Sequence, residues 1–282
     1  MSTFKKGFLM GGATADFQYE GGFSEGKRGL LSHDFVTTGN VSTPRQLTLK
    51  MADGTYGSCH LKKSIPDGAE VVMREDIYYP SHQATDFYHH YKEDIALMAE
   101  LGFSVYRFSI CWSRIYPTGV EEVPNEEGLA YYDEVINELI KHNIEPMITI
   151  CHDELPYYLC TEYDGWTSRK VIDYYVKFAN TLYDRYGDRV KYWLTFNELN
   201  ALDGWAMLGT KKADWQTKYQ AIHHVFLGSS QAIIDGKKKM PNAIFGAMFA
   251  MSAVYPGSTD PKDIFAAYVK RRESHYFIEV MA

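Results

Sequence analysis

The feature that most constrains this chain is a recurrence of buried strand ends. Strand-like runs at Phe8–Ala15, Ser104–Ile110, Pro146–Ile150, Lys191–Phe196 and Ile244–Met251 hold aromatic and branched residues in nearly continuous stretches. The last four end near residues 110, 150, 197 and 251, with helical patterns between them. Continuous apolar strands are covered on both faces, and strand-then-helix alternation builds parallel βα units. Phe87, Tyr91, Ile95, Met98 and Leu101 share one helical face, as do Leu129, Tyr132, Ile136, Leu139 and Ile140. A third helix is expected to start at an N-cap Ser168 and end at Gly187, and a fourth to run from Asp214 to Asp235. A last one opens on Asp260-Pro261, a cap followed by a first-turn proline.

Two architectures satisfy this alternation, a doubly wound open sheet and a (β/α)8 barrel. The GGATA stretch after Met10 matches neither phosphate-binding glycine fingerprint. Polar residues stand at several strand ends: Gln18, Trp112 with Arg114, His152, and Asn197 with Glu198. Barrel active sites are built from such ends, so the expected fold class is α/β, a TIM barrel of which about the first five βα units are present. The expectation is one incomplete domain over 1–282, with a long, ordered first βα loop at about 23–81 where Gly, Ser, Thr and Pro cluster without period.

Composition narrows the partners. With 45% hydrophobic and 23% charged residues the chain can bury a large core. A net charge of −7 argues against a nucleic-acid partner, and the basic run Lys237–Lys239 reads as a solvated loop. No apolar stretch is long enough to span a membrane, and the apolar run Phe8–Met10 is too short for a signal peptide. The four cysteines lack zinc spacing, and His82, Asp86, His89 and His90 match no metal pattern. The expectation is a soluble, reduced, cytoplasmic protein without metal or cofactor.

The strand ends also spell a family. "FLMGGATADFQYEGG", "YRFSICWSRIYP", "ITICHDELP" and "TFNEL", in that order, resemble the first four strand motifs of glycoside hydrolase family 1, especially its 6-phospho-β-glucosidase branch. The resemblance implies that Gln18 and His152 bind the glycone and that Asn197 contacts the sugar 2-hydroxyl. It implies Glu198 as general acid/base and Arg107 as the arginine beside the nucleophile. Retaining hydrolysis needs two carboxyl groups about 5–5.5 Å apart, one to protonate the leaving oxygen and one to attack carbon. A carboxyl on a strand end is rigidly aimed, which suits the donor role. The bland reading of Glu198 is a helix cap or an ion pair. For His152 it is a satisfied core histidine, for Gln18 a loop hydrogen bond, and for Arg107 a structural pair with a buried carboxylate. Glu20 reads as an ion-pair member, and Trp112 and Trp166 as core aromatics.

The family's nucleophile lies in a T/S-E-N-G run at strand seven, and this sequence holds no such run. The expectation is therefore a glycosidase chain lacking strands six to eight. It would be inactive alone and prone to self-association through open barrel edges. A non-catalytic sugar-binding remnant and a half-barrel needing a partner are the alternatives. Glu154 would be the first substitute nucleophile. The phosphate-binding residues of the branch would also fall outside, so β-glucosides and 6-phospho-β-glucosides both stay open as substrates.

Overall fold

Each parallel strand of this protein is added to the same side of the one before it. The computed structural model describes residues 4–281. Among them are strands β1 (Gly11–Ala13), β2 (Gln46–Lys50), β3 (Tyr56–His60), β4 (Glu70–Val71), β5 (Val105–Ser109), β6 (Glu145–Cys151), β7 (Tyr192–Phe196) and β8 (Ile244–Gly246). The main sheet has the order β1-β5-β6-β7-β8, with every pairing parallel. A doubly wound sheet reverses direction at a switch point. This order never reverses, as in a barrel.

The register begins with Gly11 opposite Val105. A Cβ on Gly11 would lie 1.7 Å from the Val105 carbonyl oxygen, so glycine is what lets β1 approach β5. Gly11 of GGATA thus serves strand pairing, while Gly12 leaves room for the Phe103 ring. β1 and β8 are shorter than the apolar runs that contain them. Phe8, Leu9 and Met10 stay exposed before β1, and residues 247–255 beyond β8 form no regular strand. Among the described residues β1 pairs only with β5, and β8 only with β7.

The helices follow their apolar faces. Phe87–Glu100, Glu126–Lys141, Lys170–Tyr186, Trp215–Lys239 and Pro261–Met281 match the five expected, with shifted ends. Asp214 caps as anticipated, its carboxylate accepting from Thr217 N at 2.9 Å. Ser168 does not cap: a 3-10 turn at Gly165–Thr167 precedes the helix and Arg169 takes the N-cap position. Lys237–Lys239 form the last helical turn, where cations favour the helix dipole, and are no loop.

The stretch expected as an aperiodic loop contains a three-stranded antiparallel sheet, β3-β2-β4. Its strands are short and interleave polar with apolar residues, so no long apolar run marks them. Leu47 and Leu49 are fully buried beneath it. Ser32 fastens this region to the strand ends, since Ser32 N donates to Leu155 O at 2.9 Å and its hydroxyl to Ala206 O at 2.6 Å.

Arg114 and Glu20 form a buried ion pair, Nε to Oε1 at 2.8 Å. Arg114 also donates to the Glu25, Gly21 and Gly22 carbonyls and stacks on Tyr88. Tyr132 donates to the other Glu20 oxygen. This is the structural role read for Glu20. Trp112 and Trp166 are core residues, with Trp112 stacked on Phe178 at 5.2 Å. No described helix is long and apolar enough to cross a membrane.

Removing one partner of a buried pair strands the other charge, which destabilises by about 3–5 kcal/mol. Glu20→Ala is therefore expected to lower unfolding stability by about that amount in urea titrations. A change below about 1 kcal/mol would show that water reaches Arg114.

Candidate active site

Three consecutive strand ends converge on one guanidinium. Side chains alternate along a strand, so Arg107 and Ser109 share one face of β5 while Tyr106 and Phe108 take the other. Arg107 Nε donates to Thr149 Oγ1 on β6 at 2.8 Å, and Nη2 donates to Asn197 Oδ1 after β7 at 2.8 Å. Asn197 is buried, and its Nδ2 donates to Asp153 Oδ1 at 3.3 Å. The carboxylate partner expected for Arg107 is not in direct contact. A hydroxyl and an amide oxygen satisfy it, with Asp153 and Glu198 acting through charge. Burial depresses the Arg107 pKa, and those two carboxyls pull it back up.

Glu198 follows Asn197 with φ +37°, a left-handed backbone that non-glycine residues seldom adopt. Such strain costs on the order of 1–3 kcal/mol and persists only where neighbours impose it. Here Leu199 N donates to Met248 O at 3.2 Å, Met248 N to Phe196 O at 3.0 Å, and Ala201 N to Glu198 O at 2.7 Å. Asn197 and Leu199 on either side are buried while Glu198 is half-exposed, so the bend turns this one carboxyl outward from a buried stretch.

His152 directly follows β6 and meets the edge of Phe17 at 5.9 Å between ring centroids. Burial, with Arg107 and His33 nearby, pushes its pKa down to about 3, so the ring is neutral at pH 7. Its buried Nδ1 has no protein partner among the described residues, which separates it from a satisfied core histidine. Gln18 lies on the short helix Asp16–Tyr19 and is exposed. It borders a cavity of about 370 Å³ with Phe17, His33 and Arg45. The fold thus unites Arg107 and Asn197 by a direct hydrogen bond, with Glu198 adjoining, and connects Gln18 to His152 only through Phe17.

Sequence reasoning missed the roles of Asp16 and Asp153. Asp16 is buried, accepts from Ser109 Oγ at 2.6 Å, and has its pKa pushed up to about 6 by burial and by Glu20. Asp153 is pushed up to about 7, mainly by burial, with Glu198 adding to the rise and the Asn197 hydrogen bond opposing it. Glu154 is fully buried and accepts from the His152 and Asp153 amides at 3.3 and 2.7 Å. Burial and Asp16 raise its pKa, so it is unsuited to be a substitute nucleophile. The run HDEL directly after a strand was the available signal for Asp153 and Glu154.

The family model for Glycosyl hydrolase family 1 matches residues 62–282. The chain belongs to glycosyl hydrolase family 1. It is 41% identical to 6-phospho-beta-glucosidase AscB of Escherichia coli over 289 aligned residues, covering 100% of this chain and 57% of the relative. It is 40% identical to aryl-phospho-beta-D-glucosidase BglA of Bacillus subtilis, covering 99% and 56%. Among solved structures, the family 1 β-glucosidase of Thermotoga maritima is 28% identical with a TM-score of 0.74, covering 96% of this chain and 54% of that one. A rice β-glucosidase, Os3BGlu6, is 30% identical with a TM-score of 0.73, covering 95% and 53%. The chain spans about half the length of the relatives it matches. Its five parallel strands are part of a family 1 (β/α)8 barrel.

The Asp16 carboxyl has a folded pKa of about 6 against an ordinary 3.8, so the fold favours its protonated form. That contribution is complete below pH 3.8 and is lost as pH rises through about 6. Asp16→Asn is expected to cancel this loss, gaining about 3 kcal/mol relative to the parent between pH 4 and pH 7 in urea unfolding. A pH-independent difference would contradict the assignment.

Proposed function

We propose that this chain carries the acid/base and glycone-binding part of a retaining β-glycosidase site acting on β-glucosides or 6-phospho-β-glucosides in cytoplasmic carbohydrate catabolism. The observation that supports this best is the hydrogen-bonded chain Arg107–Asn197–Asp153 beside the bent, half-exposed Glu198. In this reading Asn197 holds the sugar 2-hydroxyl, since an amide donates and accepts without adding charge. His152, neutral and with a free nitrogen, takes another ring hydroxyl. Gln18 reaches the same sugar from the rim.

Glu198 then works in both halves of the reaction. Protonated, it gives its proton to the glycosidic oxygen while a second carboxylate attacks the anomeric carbon. Ionised, it takes a proton from the water that releases the sugar. Arg107 steadies negative charge between the two. The attacking carboxylate is not assigned to any residue of these 282, so the chain alone is proposed to be inactive.

A half-barrel that completes itself with a second polypeptide or a second copy is the other reading. It is favoured by the single-neighbour strands β1 and β8 and by exposed Phe8, Met10 and Ile244 beside them.

Two experiments test these readings. In a chimaera where residues 1–282 replace the matching part of the E. coli relative, Glu198→Gln is expected to slow hydrolysis of alkyl glucoside 6-phosphates by roughly 10²–10⁴-fold. Nitrophenyl substrates, which leave with little protonation, should lose less in the first step. Equal losses would count against an acid/base role. The isolated chain is expected not to turn over p-nitrophenyl β-glucoside or its 6-phosphate, and to scatter light as more than a monomer. A compact monomer with Glu198-dependent turnover would overturn both statements.

A further inference from the structure

Asn197 carries two nearly identical ends, an oxygen that accepts and a nitrogen that donates, and only its partners decide which way it faces. Both ends are engaged here. Oδ1 accepts from Arg107 Nη2 at 2.8 Å, and Nδ2 donates to Asp153 Oδ1 at 3.3 Å. Turning the amide over would set its N–H against the Arg107 N–H and its oxygen against the Asp153 carboxylate. Both contacts would be repulsive. Asn197 and Asp153 are both buried, 4% and 9% exposed, so water does not readily replace either partner.

We infer that Asp153 is a positioning residue of this site: its carboxylate holds Nδ2 of Asn197 so that, with Arg107 on Oδ1, the amide offers one fixed orientation to a sugar hydroxyl. The inference rests on the proposed sugar contact of Asn197. With two of its bonds fixed, the amide retains one N–H and one lone pair in set directions, and a hydroxyl that both donates and accepts matches that pair. Asp153 does this from just beyond the end of β6, the strand beside Arg107's β5, so the amide is clamped by groups from two neighbouring strands.

The clamp responds to protonation. The groups facing Asp153 are Arg107 on β5, Glu198 after β7 and Asp16 after β1, with Glu154 and His152 beside it in its own segment. Burial, Glu198 and Asp16 raise its pKa to about 7 against the opposing pull of Asn197 and Arg107. Below that pH the protonated carboxyl accepts more weakly from Nδ2, and only the Arg107 end stays firm.

The test reads the Asn197 side-chain amide by nitrogen–proton NMR in the 282-residue chain, with the signal identified by its loss in Asn197→Asp. Its two protons are expected to move with a midpoint near pH 7. Asp153→Asn should abolish that movement, whereas Asp16→Asn should only shift its midpoint. Absence of any response near neutrality in the parent chain, or an unchanged response in Asp153→Asn, overturns the inference. The parent titration decides it even if Asp153→Asn does not fold. A second arm adds p-nitrophenyl thio-β-glucoside 6-phosphate, which is not hydrolysed. Tenfold weaker binding in Asp153→Leu, which removes the accepting oxygen, supports the positioning role, and equal binding overturns it. No ligand shift at Asn197 in either chain strikes down the sugar contact instead, and the pH arm then judges the clamp by itself.

Discussion

A single cation holds the strand ends of this protein together. Arg107 leaves β5, reaches the Thr149 hydroxyl on β6 and the Asn197 amide after β7, and so spans three neighbouring strands. Parallel strands in a barrel are held along their length by backbone ladders, but their ends are free to splay where loops take over. One planar guanidinium with several donors in a fixed fork constrains that splay better than a flexible ammonium would. The Asn197 amide is held by this link, and the Glu198 bend follows directly after it.

The same cation feels two acidic groups, Asp153 and Glu198, and Asp153 in turn feels Asp16. Charges buried in a poorly polarisable interior either pair or neutralise. Burial raises the pKa of Asp16, Asp153 and Glu154, shifting each toward its neutral form, and lowers those of His33 and His152, which are neutral at pH 7. The result is a site where burial works against charge and hydrogen bonds fix the orientation of each group. Neutral donors and acceptors are what hydroxyl-rich ligands need, and an uncompensated charge would hold water in their place.

Much of this was legible in the residues. The parallel strands β5, β6 and β7 stand within a residue or two of the apolar runs that announced them, because each is mostly buried and its few polar residues do not interrupt the run. The end strands were overestimated. Phe8–Met10 and residues 247–251 are apolar yet make only isolated hydrogen bonds to their neighbours, at Met10 and Met248, and continue no regular ladder, which sequence does not display. The sheet inside the first βα connection was missed for the converse reason, since its short strands pair locally and need only Leu47, Leu49 and Val71 to anchor them. At the site, motif position singled out Arg107, Asn197 and Glu198. The partners of Arg107 were misjudged because a lone arginine on a strand implies a counter-charge, whereas the fold supplies a hydroxyl and an amide from residues 42 and 90 positions away. Asp153 was passed over because its role exists only through Asn197.

If Arg107 and Asn197 hold the strand ends as one unit, their contributions to stability cannot be independent. A double-mutant cycle with Arg107→Met, Asn197→Ala and the combined variant, followed by urea unfolding, measures this directly. Truncating both partners should cost about 1–3 kcal/mol less than the sum of the single changes, as for a hydrogen bond to a charged group. Additivity within about 0.5 kcal/mol would mean the two side chains act separately, and the account of the site as a structure organised by Arg107 would fail.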